Sequence, residues 1–134
     1  MRKALNILFF GLLITLVCSC SDDEGGLVNK WQLCRYEYLD GTVQQEDSVF
    51  YNFMKGSFSA ICLLPNGEYT TFYGNYGYKD NELQITLLPE SLYNPYYNRY
   101  MKWESGERVF HIDELTSSTL QLNYKGEKTI FRKY

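Results

Sequence analysis

Few side chains in this 134-residue chain could do chemistry, and their spacing narrows the choice. The single histidine, His111, alternates with Phe110 and Ile112 and shares one face of its strand with Asp113. A Ser-His-Asp relay would also need a serine on a strained turn, and no such nucleophile elbow occurs. The acidic clusters Asp22-Asp23-Glu24, Glu46-Asp47 and Asp113-Glu114 place neighbours on opposite faces of an extended chain, whereas glycoside hydrolysis needs two carboxyl groups facing each other across a cleft. They read as solvated surface. Zinc-type Cys/His spacing, an EF-hand loop, a P-loop and a dinucleotide fingerprint are all missing, so the sequence asks for neither metal nor cofactor and points away from an enzyme.

Four cysteines remain, at 18, 20, 34 and 62. The first two end an N-terminal run: Arg2 and Lys3 give a positive start, and Ala4 to Val17 is apolar, shorter than the roughly 20 residues of a membrane-spanning helix. This pattern is that of a cleaved export signal. Its end, Val17-Cys18-Ser19-Cys20, resembles a bacterial lipobox, with small Ser19 before Cys20, which would be acylated and become the new N-terminus. The alternative is an ordinary cut nearby, with Cys20 a plain thiol. One acyl chain binds a membrane only marginally, and two or more hold it stably. The acidic stretch Ser21, Asp22, Asp23 and Glu24 resembles the surface-export signal of Bacteroidota lipoproteins, which implies an outer-membrane anchor facing outward; a periplasm-facing lipoprotein with an acidic linker is the alternative. The expected organisation is residues 1–19 as signal, 20–26 as acylated tether reaching at most about 24 Å, and 27–134 as one domain.

Loss of Arg2 and Lys3 drives the net charge of −3 further negative, and no basic block remains, which argues against nucleic-acid binding. Thirteen tyrosines favour strands with half-wet faces. Leu83, Ile85 and Leu87, then Phe110 and Ile112, then Leu120, Leu122 and Tyr124 all alternate with polar residues. Turn signals at Pro65-Asn66-Gly67, Lys79-Asp80-Asn81, Thr116-Ser117-Ser118 and Lys125-Gly126-Glu127 join sequence neighbours. Strands are expected over 30–39, 49–64 with a bulge at Gly56, 68–73, 76–79, 82–88, 101–104, 107–115, 119–124 and 128–133. This is an all-β, up-and-down antiparallel meander of eight or nine strands. Closing it into a barrel removes exposed edges, and a β-sandwich is the alternative.

Trp31-Gln32-Leu33 resembles the tryptophan motif of lipocalin-like barrels, and the ending FHIDELTSSTLQLNYKGEKTIFRKY resembles small lipocalin-like lipoproteins of Bacteroidota. The chain departs from lipocalins in carrying Asn29 where they have glycine. The resemblance implies that Trp31 closes one barrel end and that Arg132, in the last strand, packs across its indole.

Cys34 and Cys62 fall on the first two long strands; they are either disulfide-bonded, worth roughly 3 to 4 kcal/mol, or two separate buried thiols. The segment from Pro89 to Trp103 concentrates Tyr93, Tyr96, Tyr97, Tyr100 and Trp103 among turn residues. These rings either contact a ligand, with Tyr73, Tyr76 and Tyr78 extending the surface, or plug one barrel end. The expected function is a non-catalytic binding domain for a small apolar molecule or glycan. The alternative is a filled barrel that docks on an outer-membrane or host protein. Replacing Cys20→Ala should abolish fatty-acid labelling of the exported protein, and retained labelling would locate the anchor elsewhere.

Overall fold

A computed structural model describes residues 26–134. Signal residues 1–19, Cys20 and the acidic stretch from Ser21 to Glu24 lie outside them. Alternation becomes strand wherever one face can be buried: Leu83, Ile85 and Leu87 turn inward while Glu82, Gln84 and Thr86 face water. Nine strands result: β1 Lys30–Glu37, β2 Val43–Gln45, β3 Val49–Met54, β4 Ser57–Leu63, β5 Tyr69–Lys79, β6 Glu82–Leu87, β7 Glu107–Leu115, β8 Thr119–Tyr124 and β9 Glu127–Lys133. Two short helices, α1 Pro89–Leu92 and α2 Tyr97–Tyr100, stand between β6 and β7.

Every pairing is antiparallel, and β9 returns to β1 through Leu33↔Phe131 and Tyr36↔Thr129. Eight strands thus close into a barrel, and β2 is an extra strand beside β1. A register shift between Leu33 and Arg35 puts an extra residue, Cys34, into β1. The phase change keeps Trp31 and Leu33 inside and brings Tyr36 against the core beyond them. A second shift between Ile112 and Glu114 does the same in β7, so Leu115 rather than Glu114 meets the core.

Three sequence readings need correction. The stretch 49–64 is a tight hairpin rather than one bulged strand, turned by Gly56 at φ +77°. The supposed strands 68–73 and 76–79 are the single strand β5, whose Gly74 pairs with both Phe58 and Leu87. That glycine is there for close approach, because a Cβ would collide with the Thr86 carbonyl oxygen. Residues 101–104 form no strand and belong to the connection between α2 and β7. The short strand β2 gave no signal, since all three of its residues are exposed.

The β1 start, the turns at 55–56, 80–81 and 116–118, and the end of β9 form one barrel end; the connection 88–106 and the β8–β9 turn lie at the other. At the first end Trp31 is fully buried, and its Nε1 donates to the Leu27 carbonyl at 3.1 Å. Asn29, standing in the lipocalin glycine position, donates to the Gly26 carbonyl at 2.8 Å and fastens the same turn. Phe53, Phe58, Phe72 and Phe131 fill the interior above it.

Gly74→Ala should cost about 1–3 kcal/mol in a urea melt because β6 backbone must move. Gly77→Ala, with open space around the new methyl, should leave stability unchanged or raise it by up to about 1 kcal/mol.

Candidate functional site: the aromatic lid and the barrel rim

The segment after β6 turns over the barrel because Pro89 cannot extend the ladder and starts α1. It is fastened to β5 by Tyr73, whose amide donates to Ser91 Oγ at 3.2 Å and whose carbonyl accepts from Leu88 at 2.8 Å. Asn94 Nδ2 donates to Thr70 Oγ1 at 2.7 Å. Further along, the Tyr100 hydroxyl donates to the Leu63 carbonyl at 3.2 Å, and the Tyr97 hydroxyl to the Ser105 carbonyl at 2.8 Å. Tyr97, Tyr100, Met101 and Trp103 join the core, and burial raises the Tyr97 hydroxyl above its ordinary range. The segment is a lid.

The five rings considered as ligand contacts therefore divide. Tyr97, Tyr100 and Trp103 plug the barrel end, while Tyr93 is 87% and Tyr96 38% exposed. Tyr73 is exposed beside α1, with Tyr69, Leu63, Leu88 and Leu92 also exposed in this region; Leu63 and Tyr69 are direct cross-strand partners. Tyr76 and Tyr78 do not extend that surface, because both pack against the core.

Arg132 does not stack on Trp31. In register Trp31 faces Lys133, and Arg132 is paired with Gln32 on the outer face, where its Nε donates to Gln32 Oε1 at 2.7 Å. The Trp–Arg partnership is one residue out of phase. Cys34 and Cys62 are free thiols. Cys62 lies on β4, and β3 stands between β4 and β1, so the strands carrying the cysteines are about 10 Å apart, too far for a bridge. Cys62 is fully buried, and desolvation first, then the Glu46 charge, pushes its thiol up to about 12.

Sequence reasoning passed over Arg108, although it shares the inward phase of Phe110 and Ile112 on β7. Its guanidinium carbon lies 3.9 Å from the centre of the Tyr124 ring, 5.5 Å from Trp103 and 5.9 Å from Phe110. The lid supplies Trp103 and the barrel wall supplies the other two rings. Deeper inside, burial raises the Tyr51 hydroxyl well above its ordinary value, followed by the influence of Tyr36 and Cys62, with Arg108 opposing.

His111 Nδ1 is 2.9 Å from Asp113 Oδ1 on the outer face. Burial works against the Asp113 carboxylate, yet hydrogen bonds from His111, Asn123 and Gln121 hold it below the usual range. Among the described residues no cluster of three His, Cys, Asp or Glu could hold a metal ion.

Thiol and tyrosine burial together predict alkaline weakening. In unfolded chains the Cys62 thiol ionises near 9, whereas in the barrel it stays protonated to about 12, and the Tyr51 hydroxyl shifts in the same direction. Their contribution is whole below pH 9 and declines as pH rises from 9 toward 12, so urea midpoints should fall across that window. Maleimide should leave Cys62 unlabelled in native protein below pH 9 and label it after unfolding.

A family model described as a lipocalin-like domain matches residues 13–134. A crystal structure of a lipocalin-like protein from Bacteroides uniformis is 53% identical, covering 81% of this chain and 99% of that one, with a TM-score of 0.79. The crystal structure of an uncharacterized protein from Bacteroides eggerthii is 45% identical, covering 80% and 98%, with a TM-score of 0.74. No curated protein matches the chain. The fold is of a kind generally used for binding rather than catalysis, and both neighbours share it along almost their whole length. With its closed eight-strand barrel, the tryptophan at one end and a family match running through to Tyr134, this chain belongs to the lipocalin-like domain family.

Proposed function

We propose that the protein is a non-catalytic binding module, acylated at Cys20, anchored in the outer membrane and facing the cell exterior, which binds a glycan through exposed tyrosines around the lid rather than an apolar molecule inside the barrel. The carrying observation is the division of the lid's rings. Tyr97, Tyr100 and Trp103 are spent on closing the lumen, whereas Tyr93, Tyr96, Tyr73 and Tyr69 remain open to solvent. A sugar ring can lie flat on such a side chain, burying its C–H face while its hydroxyl groups keep their water.

Orientation supports the reading. Gly26 is at the Trp31 end of the barrel and the tyrosines are around the opposite end. The eight residues of β1 rise roughly 26 Å between these ends before strand tilt is subtracted. A short tether would hold the Trp31 end near the membrane and turn the lid outward. The aliphatic residues Leu63, Leu88 and Leu92 beside the tyrosines favour a second reading, in which a protein partner takes the same surface.

Protease shaving of intact cells should cleave the protein, and protection until lysis would refute surface display. On an array of bacterial and host glycans, Tyr93→Ala and Tyr73→Ala should each weaken binding about tenfold without lowering the melting temperature, since both rings are mostly exposed. A full-length protein that binds no glycan, yet cross-links on cells through the Leu88–Leu92 surface, would favour the protein partner.

A further inference from the structure

Among the described residues, Arg108 Nε is the buried side-chain polar atom without a hydrogen-bond partner. The guanidinium is an always-charged group with five donors, and burying one without partners is costly. Three rings hold it in place, yet its counter-ion is loose. Glu104 Oε2 stays 3.7 Å from Nη2, beyond hydrogen-bond range, and the Glu104 side chain is 79% exposed against 11% for Arg108. The same oxygen accepts a long 3.4 Å hydrogen bond from the Tyr124 hydroxyl. A well-held cation therefore faces a poorly held carboxylate.

Tyr124 is also a wall of a rim cleft of about 430 Å³ between the β1–β2 loop and the β8–β9 turn, lined by Tyr38, Leu39, Asp40, Lys125 and Glu127. Leu39 is 79% exposed there. Lys125 Nζ lies 5.2 Å from the centre of the Tyr124 ring, so that one ring carries two cations near it. Asp40 and Glu127 put negative charge on the same cleft, and Asp40 is turned onto Thr42 by hydrogen bonds from its amide and hydroxyl at 2.9 and 2.6 Å.

The geometry points to Arg108 as the anchor of a site for the carboxylate of a small organic acid, whose apolar portion lies along Tyr38, Leu39 and Tyr124. The ligand carboxylate takes the place of Glu104. Glu104 is the resident competitor: it neutralises Arg108 incompletely from the lid, and a ligand able to approach within hydrogen-bond distance gains the charge-assisted bonds that Glu104 does not make. The inward phase of β7 fixes the arginine, and the lid supplies both Trp103, whose ring faces it, and the displaceable carboxylate of Glu104. This site depends on neither the acyl anchor nor the exposed tyrosines.

Hexanoate titrated into the full-length protein in detergent should change tryptophan emission saturably, because Trp103 lies against the Arg108 guanidinium. Hexanamide, of the same length and uncharged, should not. Glu104→Gln removes the competing charge from an exposed position and should tighten hexanoate binding roughly three- to tenfold, while Arg108→Lys should weaken it at least about tenfold. Equal responses to hexanoate and hexanamide, no response to hexanoate, or unchanged affinity in Glu104→Gln would each overturn the assignment. The glutamate variant decides the matter even where the arginine variant does not fold.

Discussion

β1 shares hydrogen bonds with three strands, β9 along one edge and first β3 and then β2 along the other, and the rest of the molecule is arranged around that closure. Once β9 has returned to β1, inward residues have no direction to face but the lumen. The register must then change wherever the alternation would put a polar residue inside. The extra residue at Cys34 makes that change in β1, and the one near Asp113 makes it in β7. Both keep apolar or aromatic side chains on the inner face.

An eight-strand barrel has an interior that side chains can just fill, and this one is filled from both ends. Leu27 and Trp31 close the end where the described chain begins, and Tyr97, Tyr100, Met101 and Trp103 descend from the lid at the other. Charge is admitted near the lid, where three rings face the Arg108 guanidinium. The lid is thus structural on its inner side and available on its outer side. That division explains why one segment of uniform composition carries both core residues and exposed rings.

Period two made β6, β8 and the inward residues of β7 readable, because Leu83, Ile85, Leu120, Leu122 and Ile112 have a polar neighbour on each side. The hairpin at Gly56 was not, since a glycine between Lys55 and Ser57 is equally compatible with a bulge or a turn. Gly74-Asn75 looks like a turn and is strand, because the glycine serves the approach of β6 rather than a reversal. Splitting the hairpin correctly would also have separated Cys34 from Cys62 by a strand. Tyrosine identity did not reveal which lid rings are buried: that depends on which hydroxyls reach a carbonyl, as Tyr97 and Tyr100 do. Arg108 was legible from its phase with Phe110 and Ile112, and Arg132 was misplaced for want of its phase against Trp31.

The lumen is closed by its own side chains, and a neutral apolar probe tests that closure without engaging Arg108. In a fluorescence titration with N-phenyl-1-naphthylamine, the native protein should give no saturable enhancement, and enhancement should appear only after the fold is loosened by denaturant. Stoichiometric one-to-one binding to the native protein, competed by other neutral apolar molecules, would contradict it.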